Sequence, residues 1–362
     1  MPKDILKNRH NIFGGIHMKK KFYLKLFIGT FMVLFIFSGC NRLIRKDKGN
    51  FNLKGENLVV YVAFNDDEAQ VLLDGFKEKT GCNYSFLRFP TEEAAAKVIE
   101  EKGSPKADIF LGGTADAVEL LKVNNCLDKY IPNNVDDIPL NYRDKDGFWT
   151  GLYIEALSIG INEERWNREF SDLKEPTSIE ELLNPRFKGE VILPDPRTSG
   201  TGYTLLSCLS QKMGKDKAID LFMKLKNNVG QFTDSGFTPA KKVGIGEYLI
   251  TINFINQQLI VKNSGFKIKS IIYKDSGWTI CPIAKIKNGP NRKASKAFIE
   301  YCTSKEAGNA LKDFSMADST INGVDLPLGG KDLSKYSLYK SYDFLKAAND
   351  RKSLLEELEK IM

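Results

Sequence analysis

Residues 190–206 read EVILPDPRTSGTGYTLL, and this stretch decides the fold. A short apolar run ends at Pro194-Asp195-Pro196, and small residues then lead into a second apolar segment. This order is typical of a strand that passes through a tight loop into the start of a helix. We therefore predict an α/β fold, in which such loops lie at the carboxyl ends of strands.

The start of this predicted helix is a candidate binding site. Ser199, Gly200 and Thr201 would leave main-chain N–H groups and hydroxyls unpaired, and this setting suits an oxyanion. Arg197 would add a positive charge. The alternative is that Thr198 or Ser199 simply caps the helix, which needs no ligand. Glycines and an arginine around the cap favour ligand binding.

Strand-like and helix-like segments alternate upstream of this stretch. Residues 58–64 (LVVYVAF) and 107–111 (ADIFL) have the composition of strands, and the apolar residues of 69–76 recur at helical spacing. Such alternation predicts a mainly parallel sheet covered on both faces by helices. Ligands of these sheets bind where strands end and helices begin.

Loops at other strand or helix ends add candidate ligand-binding residues. Gly113 and Thr114 repeat, in the first half of the chain, the small-residue arrangement of the segment that begins at Ser199. Taken alone, each of these loops is more typical of a turn. The added candidates are Asn65, Asp66, Gly113, Thr114, Asp234, Ser235 and Glu247.

The composition excludes several classes of protein. The chain has 362 residues, of which 42% are hydrophobic, as expected for a globular protein with a sizeable core. Its 53 basic and 46 acidic residues nearly balance beyond residue 39, so no basic surface for nucleic acid is expected. The two histidines, His10 and His17, lie upstream of residues 18–39, which the sequence predicts to be a cleaved export signal. The mature chain therefore lacks histidine-dependent catalysis.

The N-terminal region has the features of an export signal. Residues 18–39 combine a basic segment, an apolar run and small residues before Cys40, and they resemble the signal peptide of a bacterial lipoprotein. We expect residues 1–17 to be an untranslated extension, Cys40 to carry a lipid and residues 40–55 to form a tether. The expected location is the periplasmic or extracellular face of a membrane. The alternatives are an ordinary cleaved signal and a transmembrane helix, for which the apolar run is short.

The other cysteines show no metal-binding pattern. They are widely spaced and include no CxxC pair, which indicates buried, weakly polar side chains. One disulfide is the alternative in an exported protein. These residues are Cys82, Cys126, Cys208, Cys281 and Cys302.

Five blocks of sequence resemble one family when they are taken in order. The blocks are residues 58–81, 104–130, 178–206, 241–254 and 284–308. They resemble the bacterial extracellular solute-binding lipoproteins of ABC importers, in the ferric-binding-type branch of the type II periplasmic-binding-protein fold. The resemblance implies a two-lobed α/β fold with hinge strands and a ligand cleft between the lobes.

The resemblance also implies domain limits and partners. Lobe 1 would comprise residues 57–150 and 255–290, lobe 2 residues 151–254, and the helices of residues 291–362 would pack on lobe 2 and the hinge. The protein would be a monomer that delivers a small ligand to an ABC permease and its ATPase. It would catalyse no reaction and hold no cofactor.

Two classes of ligand remain open from the sequence. One is ferric iron with a bound oxyanion, where the metal would be ligated by oxygen donors such as Asp66, Glu247 and Tyr248. The other is a phosphorylated sugar or a phosphonate, with its phosphate at Ser199 and its hydroxyls at Glu247 and Asp234. The alternative function is a membrane-anchored hydrolase that uses paired carboxylates.

Overall fold

The computed structural model describes residues 52–361, which fall within one compact unit. The predicted upstream extension, the signal peptide, Cys40 and most of the predicted tether lie outside the described residues. None of the helices within residues 52–361 combines the length and the apolarity that crossing a membrane requires.

Eleven strands within the described residues form one sheet. They are β1 (Asn57–Ala63), β2 (Asn83–Arg88), β3 (Ile109–Gly112), β4 (Leu127–Asp128), β5 (Trp149–Asn162), β6 (Val191–Pro194), β7 (Val229–Thr233), β8 (Ile250–Phe254), β9 (Ile268–Ile271), β10 (Trp278–Ile286) and β11 (Asp318–Ser319). The main order is β2-β1-β3-β10-β5-β8-β6-β7, and β4, β9 and β11 pair beside it. β1 lies parallel to β2 and β3, and β6 lies parallel to β7 and β8.

Helices pack on both faces of the first half of this sheet. The α-helices of the whole described region are α1 (Asp66–Thr80), α2 (Thr91–Glu100), α3 (Ala115–Val123), α4 (Glu163–Glu169), α5 (Gly200–Met213), α6 (Lys215–Lys226), α7 (Thr238–Gly244), α8 (Ile255–Asn263), α9 (Arg292–Cys302), α10 (Lys305–Ser315) and α11 (Phe344–Glu359). Val60 and Val62 of β1 face the core formed with α1 and α9, whereas Tyr61 between them faces the core formed with α2 and α3. This alternation follows from the two-residue period of a strand.

The long strand β5 connects the two lobes. Residues 149–156 pair with β10 in the first lobe, and residues 157–162 pair with β8 and β9 in the second lobe. All of its residues are buried, because helices or loops cover both of its faces. Residues 272–277 return the chain to the first lobe, and the N–H of Leu157 donates to the carbonyl of Gly277 at 2.8 Å. The predicted two-lobed α/β fold with hinge strands is confirmed. The prediction of a mainly parallel sheet is wrong, because β10 lies antiparallel to β3 and β5, and β5 lies antiparallel to β8 and β9.

The second lobe extends further along the chain than the sequence indicates. The resemblance implies that residues 255–290 belong to the first lobe, but β9 pairs with the second half of β5. Val261 and Ile268 are buried in a small core that also contains Ile192 of β6. Helix α8 and β9 therefore belong to the second lobe, because their apolar side chains complete its core.

The C-terminal helices also differ from their expected packing on the second lobe and the hinge. α9 and α10 contact α1 of the first lobe, where the rings of Phe76 and Phe298 lie 5.1 Å apart. α11 packs on α3 of the first lobe and on α5 and α6 of the second lobe. The tether is shorter than expected, because Leu53 is buried and its N–H donates to Thr80 O at 2.8 Å.

The cysteines of the described region are free and buried, which confirms the expectation of buried, weakly polar side chains. Cys82, Cys281 and Cys302 lie in the core beneath α1 and α9. Cys126 lies in the core beneath α2 and α3, and Cys208 lies in the core of the second lobe.

Candidate functional site

The cleft between the lobes encloses a cavity of about 50 Å³. This volume is smaller than the ~300–1,000 Å³ of pockets that hold small ligands, so a ligand of that size requires the lobes to lie further apart than they do here. The cleft brings together seven of the residues predicted to bind a ligand, namely Asn65, Gly113, Thr114, Ser199, Thr201, Asp234 and Ser235. Residues that the sequence analysis did not single out complete the lining, among them Glu68, Arg88, Thr91, Tyr153, Glu155, Gly236 and Asn256.

Three helices begin at the wall of the cleft. Thr91 is the first residue of α2, Thr114 is the N-cap of α3, and Ser199 is the N-cap of α5. The first turns of these helices expose N–H groups that have no partner within the helix, and their dipoles favour negative charge. The three N-termini converge from both lobes, so the cleft suits an anion.

The hydroxyls at these N-termini are not used for capping. Neither Thr114 nor Ser199 accepts a side-chain capping bond from a main-chain N–H of its own helix. Thr198, the other residue considered as a cap, donates through its hydroxyl to Asp234 at 3.3 Å. None of these three hydroxyls forms the plain N-cap considered as an alternative, and Thr114 and Ser199 line the cleft.

The two lobes meet closely at Gly200. A Cβ atom at this position would lie 2.9 Å from Oγ1 and Cγ2 of Thr114 and 3.0 Å from Cγ2 of Thr91. Real Cβ atoms do not approach neighbours this closely, so the contact requires glycine. Beside it, the N–H of Glu92 in the first lobe donates to the carbonyl of Thr198 in the second lobe at 3.3 Å. The structure is thus that of a closed cleft.

Two buried carboxyl groups lie on the hinge side of the cleft. Glu68 accepts hydrogen bonds from the Tyr153 hydroxyl at 2.7 Å and from the Asn65 amide at 2.9 Å. Burial raises the pKa of Glu68 to about 7, although these hydrogen bonds act in the opposite direction. Burial also raises the pKa of Glu155 well above its ordinary value, and the charge of Glu68 adds to the effect. Both groups therefore carry protons more readily than exposed carboxylates do.

The remaining polar groups come from both lobes. Arg88, at the end of β2, donates through Nε to the carbonyl of Phe64 at 3.2 Å. In the second lobe, the amide of Asn253 donates to the carbonyl of Gly236 at 3.1 Å and fixes the loop that carries Asp234. The cleft thus combines a cation, hydroxyls, amides and carboxyl groups, which together can bind an anion and neutral hydroxyls.

Several predicted site residues lie outside the lining. Glu247 forms an ion pair with Lys242 at 2.7 Å, and the hydroxyl of Tyr248 lies 3.5 Å from Gln231. Both residues precede β8, whereas the cleft lies at its carboxyl end, where Phe254 and Asn256 line it. The predicted metal ligands Asp66, Glu247 and Tyr248 are therefore not brought together in the cleft, and Asp66 is exposed at the start of α1.

Arg197 and Gly200 also have roles other than lining the cleft. Arg197 pairs with Asp195, with 2.9 Å between Nε and Oδ1, and so stays in the loop before α5. Gly200 lies at the contact between the lobes rather than on the cleft surface. No group of three or more His, Cys, Asp or Glu side chains within residues 52–361 is placed to hold a metal ion.

Two of the missed residues left a signal in the sequence. Glu68 occupies a position on the apolar face of α1, beside Ala69 and Leu72. Glu155 is the one charged residue of β5, whose residues are all buried. A carboxyl group at a position that the pattern assigns to the core is a mark of function. Thr91, Arg88 and Asn256 left no comparable signal.

The family is shown by comparison with known proteins. The profile of the bacterial extracellular solute-binding proteins matches residues 104–334. The chain belongs to this family. It lies in the ferric-binding-type branch of the type II periplasmic binding proteins of ABC importers, as the resemblance implies. A protein of Haemophilus influenzae is 30% identical over 321 residues, which cover 85% of this chain and 91% of that protein. Iron uptake protein A1 of Synechocystis is 22% identical, over 74% of this chain and 75% of that protein.

Solved structures share the fold. The periplasmic binding protein AfuA of Actinobacillus pleuropneumoniae, solved with exogenous fructose-6-phosphate, superimposes with a TM-score of 0.80 at 28% identity, over 85% of this chain and 98% of AfuA. Iron-bound HitA of Pseudomonas aeruginosa superimposes with a TM-score of 0.75 at 17% identity, over 84% of this chain and 99% of HitA. The chain is therefore a solute-binding protein of an ABC importer, and its family acts outside the cytoplasm.

Proposed function

We propose that this protein binds a phosphate ester of a small polyhydroxylated molecule and delivers it to an ABC permease. The observation that carries the proposal is the convergence of three helix N-termini on one cleft, with their hydroxyls free of capping bonds. The buried carboxyl groups on the hinge side provide acceptors for hydroxyls of the same ligand.

The phosphate would lie at the start of α5. Ser199 and Thr201 are both almost fully buried, so their hydroxyls donate in a setting that excludes most water. N–H groups and hydroxyls at a helix N-terminus stabilise a phosphate through both hydrogen bonds and the helix dipole. Thr114 of the first lobe faces the same point, so a phosphate held there would join the two lobes.

The hydroxyl-bearing part of the ligand would lie toward Glu68 and Glu155. Carboxyl oxygens accept hydrogen bonds from hydroxyls, and the amides of Asn65 and Asn256 can both donate and accept. Because the pKa of Glu68 is raised to about 7, this part of the cleft carries less negative charge than two ordinary carboxylates would. A ligand with an anionic end and a neutral polyhydroxylated end matches this division.

Ferric iron is the second candidate. The observation that favours it is the convergence of three oxygen donors, Glu68, Tyr153 and Glu155, on one side of the cleft. Hard oxygen donors suit Fe(III). Burial, however, raises the pKa of Tyr153 well above its ordinary value, which opposes the phenolate that an iron site would use. The structure of AfuA, a relative with a bound phosphate ester, is also more similar in sequence than that of iron-bound HitA.

The proposal also covers the membrane anchor, the location and the permease partner of the protein. We infer that Cys40 carries the lipid anchor, that the protein acts as a monomer on the outer face of a membrane, and that the permease receives the ligand when the lobes open. Glu68 and Glu155 would bind the ligand without hydrolysing it. Incubation followed by mass spectrometry of the ligand would reveal any turnover, which the hydrolase alternative requires.

Titration calorimetry tests the proposal. Fructose 6-phosphate, inorganic phosphate, fructose and ferric citrate are titrated into the purified protein, and the phosphate ester is expected to bind at least tenfold more tightly than the other three. Ser199→Ala and Thr201→Val should each weaken binding by about 10- to 150-fold, since a hydrogen bond to a charged group contributes about 1.5–3 kcal/mol.

The matched control is Ser264→Ala, because Ser264 is exposed at the end of α8, away from the cleft. This variant should bind as the wild type does. Tight binding of ferric citrate with a visible absorption band, and no binding of phosphate esters, would overturn the proposal in favour of iron.

A further inference from the structure

A buried arginine lies behind the cleft, on α11. The guanidinium of Arg351 forms ion pairs with Glu92 through one terminal nitrogen and with Asp116 through the other. Its side chain is only 8% exposed, and that of Asp116 is fully buried. The guanidinium carbon lies 3.9 Å from the centre of the Tyr203 ring, within the range of a cation–π contact.

The helix that carries Arg351 lies against α3 of the first lobe and buries apolar side chains in the core of the second lobe. The hydroxyl of Tyr203 in α5 donates to the carbonyl of Ala347 at 2.6 Å. Leu354 and Leu358 of α11 are buried in the core of the second lobe. Glu92 and Asp116, in contrast, lie on α2 and α3 of the first lobe. The two ion pairs of Arg351 therefore cross from one lobe to the other.

The partners of Arg351 lie directly behind the residues that line the cleft. Glu92 follows Thr91 in the first turn of α2, and Asp116 lies in the first turn of α3, after Thr114. Tyr203 lies in the first turn of α5, two residues after Thr201. One guanidinium thus contacts the first turns of all three helices whose N-termini converge on the cleft.

We propose that Arg351 is a positioning residue that holds these three helix N-termini in register and so stabilises the closed cleft. It touches no ligand and acts through Glu92, Asp116 and Tyr203. Asp and Glu in the first turn stabilise their own helices, but they add negative charge near an anionic ligand. A guanidinium between them offsets this charge only when the lobes are closed.

The effect of removing Arg351 depends on whether Glu92 and Asp116 are buried or solvated. Without the guanidinium, closure would bury two carboxylates with no cation to pair with them, and such burial is strongly unfavourable. In an open cleft, water can solvate both groups. Removal of Arg351 should therefore disfavour closure, and a ligand that needs the closed form should bind more weakly. The inference rests on the proposed function only in the choice of ligand.

The experiment compares three variants with the wild type. Arg351→Met removes the charge, and Arg351→Lys keeps it but cannot pair with two carboxylates in a fixed planar geometry. The third variant combines Arg351→Met with Glu92→Gln and Asp116→Asn, so that no buried carboxylate lacks a partner. Small-angle X-ray scattering gives the radius of gyration with and without fructose 6-phosphate, calorimetry gives the affinity, and urea unfolding gives the stability.

Arg351→Met should weaken binding about 5- to 150-fold, the usual range of coupling between two elements, and should increase the radius of gyration in the presence of the ligand. Arg351→Lys should recover part of the affinity. The triple variant should unfold at a urea concentration close to that of the wild type and should bind more tightly than Arg351→Met but more weakly than the wild type, because it buries no unpaired carboxylate but lacks the contacts of Arg351 between the lobes. A purely structural role would instead restore the full wild-type affinity together with stability in the triple variant, and that result would overturn the inference.

Failure of the proposed function would give a different pattern. If fructose 6-phosphate does not bind the wild type, the radius of gyration of the ligand-free protein still reports on Arg351. A larger radius of gyration for Arg351→Met and for the triple variant than for the wild type would support the proposal that Arg351 stabilises the closed cleft. Equal radii for all four proteins would overturn it.

Discussion

Replacement of Glu68 by glutamine should change how the stability of the protein depends on pH. The carboxyl group is completely buried at the cleft, and burial raises its pKa from 4.5 to about 7. The folded protein therefore binds a proton more tightly than the unfolded chain does. By linkage, the stability contributed by the protonated group is complete below pH 4.5 and is lost as the pH rises through 7.

The size of the effect follows from the shift in pKa. Each unit corresponds to about 1.4 kcal/mol, so a shift from 4.5 to about 7 corresponds to about 3 kcal/mol. Between pH 4.5 and 8, the free energy of unfolding of the wild type should fall by about this amount relative to Glu68→Gln. Glutamine keeps an oxygen that can accept the hydrogen bond from Tyr153 and does not titrate.

Urea unfolding at several pH values measures this difference. Glu78→Gln is the matched control, because Glu78 lies on the exposed face of the same helix. Its pH profile should follow that of the wild type. The argument from the buried carboxyl group is wrong if the free energy of unfolding of Glu68→Gln depends on pH as that of the wild type does. It is also wrong if the stability of Glu68→Gln relative to the wild type falls as the pH rises.

Three further changes test other parts of the structure. Gly200→Ala should reduce ligand affinity at least tenfold in calorimetry while thermal unfolding changes little, because the added methyl would lie 2.9 Å from Thr114 only in the closed cleft; unchanged affinity would contradict the closed geometry. Glu247→Gln should leave affinity within twofold, since Glu247 pairs with Lys242 and lies outside the lining of the cleft; a large loss of affinity would show that Glu247 binds the ligand. Phe298→Ala should lower the free energy of unfolding by about 3–5 kcal/mol in urea, because its ring is fully buried; a loss below 1 kcal/mol would contradict the described core.

The fold follows from local patterns that the sequence displays. The β-branched run of β1, the amphipathic α1 and the left-handed Gly81 that ends it are each visible in a window of a few residues. The small residues around Ser199 mark the start of α5 for the same reason. The assignment of α8 and β9 to the second lobe was not predictable, because it depends on which half of β5 the strand pairs with.

The residues that line the cleft could be predicted where they lie at helix starts, and not where their position depends on strand direction. Glu247 and Tyr248 share a loop with β8, but that loop lies at the amino end of the strand, away from the cleft. Glu68 was missed because its spacing in α1 is that of a core residue. Arg351 was missed because its partners lie 235 and 259 residues away in the sequence.

A crystal structure of the protein with bound fructose 6-phosphate is the most direct test of the central claim. The account predicts a phosphate within hydrogen-bond distance of Ser199 and Thr201, with the sugar hydroxyls directed toward Glu68 and Glu155. Density for a metal ion bound to Tyr153, or a phosphate outside the cleft between the lobes, would contradict it.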